Sequence, residues 1–179
     1  AMELRLVGSE MCIRDSVDVP AATQRGVLVV NSPEGNTIAA AEHALAMLLS
    51  VSRHVPQAHG SMRSGAWDRK KYVGNELYKK NLGVVGLGKI GSHVARVAKA
   101  MGMDVIAFDP FISAERAQQM QVRLTTLEAL FQQADYITLH IPRTPDTENL
   151  VNAELLRTMK STARIVNCAR GGIVDEPAI

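Results

Sequence analysis

The chain has 179 residues, 46% of them hydrophobic, and its 20 basic and 18 acidic side chains give a formal charge of +2. That is enough apolar material for a domain with its own core, while the dispersed Lys and Arg residues argue against the basic field of a nucleic-acid binder. No apolar run approaches the roughly 20 residues that span a bilayer, the start lacks a secretion signal, and Cys12 and Cys168 form neither a CxxC pair nor a zinc spacing; a cytoplasmic chain without metal, nucleic-acid or membrane partners is expected.

Residues 6–16, LVGSEMCIRDS, show neither a helical stripe nor strand alternation. Next, Asp18 and Pro20 open a short helix that Gly26 ends before an apolar strand over 27–30. Ile38, Ala41, Leu45, Leu48 and Leu49 recur at helical spacing, which predicts a helix from 37 to about 53 with those residues on its buried face. Pro56 opens a second short helix, in which Met62 reads as core. The polar stretch SGAWDRKKYVGNELYKKN, with Gly65 and Gly74, reads as a long connection in which Trp67 is either an anchor or an interface residue.

The chemistry begins at residue 81. NLGVVGLGKIGSHVARVAKA is an apolar strand, a glycine-rich turn and a helix carrying Ile90, Val94, Val97 and Ala98 on one side, the context that gives GxGxxG its meaning. Gly86 permits the tight turn, Gly88 lets a pyrophosphate approach the main chain, and Gly91 lets helix and strand pack closely; the N–H groups at the helix start then face the phosphates. A second strand over 104–108 ends at Asp109, near the offset at which an acid meets the adenosine ribose in dinucleotide folds. A carboxylate there accepts from both ribose hydroxyls and repels a 2′-phosphate, so NAD is expected over NADP; the plainer reading of Asp109 is a DP turn.

Helices near 114–120 and 127–134 lead to a third strand over 136–139, closed by His140, Ile141 and Pro142. His140 at a strand's C-terminal end is either a general base or a wall of the nucleotide pocket, and with no acid near it in sequence the wall is preferred. After a helix over 153–159 and a fourth strand over 163–167 comes CARGGIVDE. Cys168 is either a nucleophile or, as preferred here, a small buried residue. Arg170 is placed to hold an anionic substrate bidentately; the alternative is a solvent-facing loop Arg.

NSPEGNTIAAAEHALAM, WDRKKYVGNELYKKNLGVVGLGKIG, DPFIS, ADYITLHIP and NCARGGIVDE together resemble the D-isomer-specific 2-hydroxyacid dehydrogenase family, in its phosphoglycerate-oxidising branch, from residue 17 onward. The resemblance implies an α/β fold with a Rossmann-type doubly wound parallel sheet, an NAD cofactor, a homodimer built through the cofactor domain, and oxidation of 3-phospho-D-glycerate to 3-phosphohydroxypyruvate, the step that opens serine synthesis. It places the pyrophosphate at Gly86, Gly88, Lys89, Ile90 and Gly91, the ribose at Asp109, and the pocket wall at Ile141 and Pro142. Cys168 and Ala169 then flank the nicotinamide half, and Arg170 holds the substrate carboxylate as the catalytic Arg. The family's catalytic His–Glu pair lies beyond the GGIVDE region, and none of His43, His54, His59, His93 or His140 matches it. A glycine-rich loop is expected where residues 6–16 stand. Read back into codons, that peptide looks like a sequencing-library adapter translated in frame. The expected organisation is therefore a foreign segment over 1–16, a remnant of a substrate domain over 17–35 and part of the NAD-binding domain over 36–179. The alternatives are a non-catalytic NAD sensor of the same fold, a truncated reading frame with no role of its own, and, within the same class, another D-2-hydroxyacid dehydrogenase.

Overall fold

The computed structural model describes residues 5–9, 17–32 and 35–179. It divides into two compact units, residues 1–40 and residues 41–179.

In the first unit, β1 (Arg5–Ser9) and β2 (Val27–Asn31) pair in parallel, with Arg5 opposite Val27 and Ser9 opposite Asn31. Between them in sequence, α1 (Val19–Gln24) begins where the Asp18 carboxylate accepts the Ala21 N–H at 2.9 Å, and it carries Pro in its first turn, as the sequence predicts. Strand β1 is not foreseen in the sequence. Its pairing uses main-chain groups, which any residues supply, and Leu6 within it is exposed. Residues 1–4 and 10–16, the rest of the segment expected to be foreign, lie outside the described residues.

The division between the units falls inside α2 (Thr37–Arg53). In the second unit α3 (Val55–Arg63) follows, and then a parallel sheet of five strands: β3 (Asn81–Val85), β4 (Asp104–Phe108), β5 (Arg123–Leu124), β6 (Tyr136–Leu139) and β7 (Arg164–Asn167). Their order is β5-β4-β3-β6-β7, so the chain winds outward from β3 in one direction and then crosses to wind in the other. This is the doubly wound arrangement, and its ligand crevice opens at the carboxyl ends of the strands where the direction switches, between β3 and β6. The connecting helices are α4 (Lys89–Ala100), α5 (Ala114–Gln119), α6 (Leu127–Gln133) and α7 (Ala153–Arg157).

The period-2 alternation of strand side chains builds a core on each face. Leu82, Val84, Val105, Ala107, Tyr136 and Val166 meet Leu45 and Leu48 of α2 and Val94, Ala95 and Ala98 of α4. On the other face, Val85, Ile106, Ile137 and Leu139 meet Leu130 and Phe131 of α6 and Leu155 of α7. The structure departs from expectation at several of these elements. Ile38 and Leu49 of α2 are exposed, because the buried stripe runs through Ala41, Ala44, Leu45, Leu48 and Ser52. Met62 is exposed as well, and Trp67 is 70% exposed, which removes its anchoring role. The edge strand β5 was not foreseen; two residues are too short for a readable alternation.

Gly83 is a packing glycine: a Cβ there would lie 2.4 Å from Leu130 Cδ2 and 3.2 Å from Ala134 Cβ. Leu130 is fully buried and has nowhere to retreat. Gly83→Ala should therefore cost about 1 to 3 kcal/mol of stability through overpacking, read as a lower denaturant midpoint; an unchanged midpoint would mean that α6 packs on β3 more loosely than this.

Candidate functional site

The residues singled out in the sequence for cofactor or substrate fall at the carboxyl end of a strand or in the turn that follows it, except Lys89, Ile90 and Gly91, which form the first turn of α4. After β3 comes the Gly86–Leu87–Gly88 turn, after β4 Asp109, after β6 His140, Ile141 and Pro142, and after β7 Cys168, Ala169 and Arg170. The fold thus brings together four segments that the sequence separates.

The turn is held from both neighbouring strands. The Gly86 N–H donates to Phe108 O at 2.8 Å, and on the other side the His140 N–H donates to Val85 O at 2.8 Å. Gly86 has φ +93°, a backbone region that side chains rarely enter, and a Cβ on it would lie 2.7 Å from His140 O and 2.8 Å from Ile141 Cγ2. Gly91, in the first turn of α4, lies so close to the turn that a Cβ would fall 1.9 Å from Gly86 O. At Gly88 the situation reverses: a Cβ would meet nothing within 4 Å. That open space lies directly before α4, whose first intrahelical bond runs from the Ser92 N–H to Gly88 O at 2.9 Å and whose first turn holds no acid. A helix start of this kind, with N–H groups directed outward and no acid within its first turn, suits a phosphate.

Asp109 is joined to the turn directly. Its Oδ2 accepts the Leu87 N–H at 2.7 Å and its Oδ1 accepts the Phe111 N–H at 2.8 Å. A carboxylate has about four acceptor positions, so two donors leave capacity for the hydroxyls of a ribose. The DP-turn reading and the ribose reading are compatible here, since the same carboxylate orders its own turn and stands beside the glycines.

His140 is mostly buried, and its Nε2 lies 2.9 Å from Thr138 Oγ1. Burial lowers its pKa to about 4, so the ring is neutral near neutral pH. Its partner is a hydroxyl, not a carboxylate, which suits a wall better than a base. Cys168 is half-buried against the α2 and α4 face of the core, and burial pushes its thiol pKa up, so it stays protonated and weakly nucleophilic. Arg170 is half-buried, with Nη1 donating to Ala169 O at 2.8 Å. The residue that shapes this turn is one the sequence reading passed over. Asn167 accepts the Ala169 N–H at 3.1 Å and donates from Nδ2 to Arg170 O at 2.9 Å; an Asn at a strand end before a turn was the available signal.

Together these groups fit a dinucleotide: an open cradle at Gly88 before a helix start for the pyrophosphate, an acid with spare acceptor capacity for the ribose, and a neutral wall beyond. The family model for the D-isomer specific 2-hydroxyacid dehydrogenase NAD binding domain matches residues 45–179. A D-3-phosphoglycerate dehydrogenase of Synechocystis is 62% identical over 177 residues, 99% of this chain and 32% of that protein. One of Bacillus subtilis is 49% identical over 176 residues, 98% of this chain and 34% of that protein. The chain thus spans about a third of the length of these relatives. Among solved structures, apo D-lactate dehydrogenase of Escherichia coli superposes with a TM-score of 0.88 at 34% identity, covering 97% of this chain and 55% of that one. The D-lactate dehydrogenase of Aquifex aeolicus, complexed with NAD and lactic acid, gives 0.85 at 30% identity, covering 98% and 53%. This chain belongs to the D-isomer specific 2-hydroxyacid dehydrogenase family and carries its NAD-binding domain.

Proposed function

We propose that the protein of which these residues are part oxidises 3-phospho-D-glycerate to 3-phosphohydroxypyruvate with NAD. The observation that carries the reading is the bond between Asp109 and the glycine turn, in a chain 62% identical to a D-3-phosphoglycerate dehydrogenase over nearly all its residues. Bound NAD would supply the hydride acceptor for the substrate's hydroxyl-bearing carbon.

The chain's own residues bind and orient. Gly86, Gly88, Lys89, Ile90 and Gly91 hold the pyrophosphate, with main-chain N–H groups at the start of α4 as donors. Asp109 accepts from the adenosine ribose and, as a fixed anion, disfavours a 2′-phosphate. Ile141, Pro142 and the neutral His140 wall the pocket, and Cys168 and Ala169 lie beside the nicotinamide half. Arg170 holds the substrate carboxylate and polarises the carbon–oxygen group that becomes the ketone, a task for which a planar, permanently charged fork is suited. The hydroxyl proton leaves to a base that none of His43, His54, His59, His93 or His140 supplies. Among the described residues no helix is long and apolar enough to cross a membrane. A homodimer joined through the second unit accounts for the exposed Met47, Leu49, Val51 and Val55 along α2 and at the start of α3; a monomer by sedimentation velocity would remove it.

NADH formation from NAD and 3-phospho-D-glycerate, measured on the protein at the full length of its relatives, should exceed that with D-lactate, and absence of phosphoglycerate turnover would overturn the reading. In the same protein Asp109→Ala should weaken NAD by about 1.5 to 3 kcal/mol, the range for hydrogen bonds to a charged acceptor, and narrow its preference over NADP; equal binding of both cofactors before and after the change would remove Asp109 from the site.

His140 gives a pH prediction. Its folded pKa of about 4 lies below the ordinary 6.5, so between those values the unfolded chain binds more protons than the folded one. Stability is therefore fully present above about pH 6.5 and declines as pH falls toward 4. His140→Asn should flatten that part of the stability profile, and an identical slope in the variant would show that the ring is not buried neutral.

A further inference from the structure

The glycine turn contains three consecutive peptide groups, and each is held by a different partner. The group between Val85 and Gly86 donates its N–H to Phe108 O at 2.8 Å. The next donates the Leu87 N–H to Asp109 Oδ2 at 2.7 Å. The third, between Leu87 and Gly88, is held through its oxygen: the Ser92 hydroxyl, one turn along α4, donates to Leu87 O at 2.7 Å. Leu87 is 5% exposed, and Met120 Sδ lies 3.9 Å from the same hydroxyl, so this carbonyl is kept on the protein side of the turn.

A trans peptide points its C=O and its N–H in opposite directions. Fixing Leu87 O inward therefore fixes the Gly88 N–H outward, on the side of the turn where Gly88 is exposed. We infer that Ser92 is a positioning residue for cofactor binding: by holding the Leu87 carbonyl, it aims the Gly88 N–H at the pyrophosphate. Without the hydroxyl, a buried acceptor loses its partner. The peptide is then free to rotate and turn its oxygen toward the phosphates, replacing a donor by a repelling dipole. Asp109 and Ser92 grip adjacent peptides, so the ribose acceptor and the phosphate donors form one rigid unit. This rests on the dinucleotide reading proposed above and adds to it a residue that makes no contact with the ligand.

The test compares ADP, which carries the pyrophosphate, with adenosine, which does not, by calorimetry on the 179-residue chain. Ser92→Ala should weaken ADP by about 3- to 10-fold, the effect of one ordinary hydrogen bond, and leave adenosine unchanged. Ser92→Thr, which keeps the hydroxyl, should restore ADP binding. At saturating ADP the shift of the Gly88 amide resonance should be smaller in the Ala variant than in the parent and the Thr variant. Should the Ala variant not fold, Ser92→Cys, similar in size and a weaker donor, should give the same ADP-selective loss. Equal loss of ADP and adenosine, no loss of either, or a Thr variant no better than Ala would each overturn the inference. If the parent chain binds neither ADP nor NAD, the dinucleotide reading itself fails and takes the inference with it, an outcome distinct from parental binding that Ser92→Ala leaves intact.

Discussion

The site depends on one close approach, that of Gly91 to the carbonyl of Gly86. With only 1.9 Å between that oxygen and the place a Cβ would occupy, no other residue lets α4 begin so near the end of β3. That proximity puts the helix start, with its outward N–H groups and the positive end of its dipole, directly beneath the strand-end crevice. The order of the sheet then determines what else can reach that point. β4 brings Asp109 from one side of β3 and β6 brings His140 from the other, since β3 is where the winding reverses.

The opposite end of the same strands is fixed by a separate set of bonds. Asp135 accepts the Asn81 N–H at 2.8 Å, returns its own N–H to Asn81 O at 2.9 Å, and meets Lys160 Nζ at 2.8 Å. Burial alone would raise the Asp135 pKa, but the Lys160 ammonium and the Asn81 N–H outweigh it, and the carboxyl is held below its usual range. These bonds set the register of β3 on β6, Leu82 opposite Tyr136 through Val85 opposite Leu139. A slip of one residue would reverse the faces of the strand and part Gly86 from His140. An ion pair at the bottom of the sheet thus supports the geometry of the crevice at its top.

The glycine turn and Asp109 were legible in the sequence because their chemistry is local: a strand, three glycines at fixed spacing and a helix, then an acid at the end of the next strand. The bond from Leu87 to Asp109 was not, because it depends on how far β4 extends beside β3, which no spacing encodes. The buried face of α2 was half legible. Ala41, Leu45 and Leu48 lie inward as their period demands, but Ile38 and Leu49 do not, and apolar character does not say whether a residue meets its own core or another surface. Met62 failed for the same reason. β1 was missed because main-chain pairing needs no side-chain pattern, and β5 because two residues leave none. The role of Asn167 follows from where the β7 turn lies in space, and the sequence offered only an Asn before a turn.

The reading proposed here puts the dinucleotide in the strand-end crevice. A competing surface exists in the groove of about 720 Å³ on the outer side of α4, where Arg96, Lys99 and Arg116 would attract any anion. Hydrogen exchange read by mass spectrometry, with and without NAD, separates the two. The account predicts that NAD slows exchange across residues 86–91, at 109–111 and at 140–142, with the α5 segment unaffected. Protection confined to the α4–α5 groove, with the glycine turn exchanging as before, would contradict it.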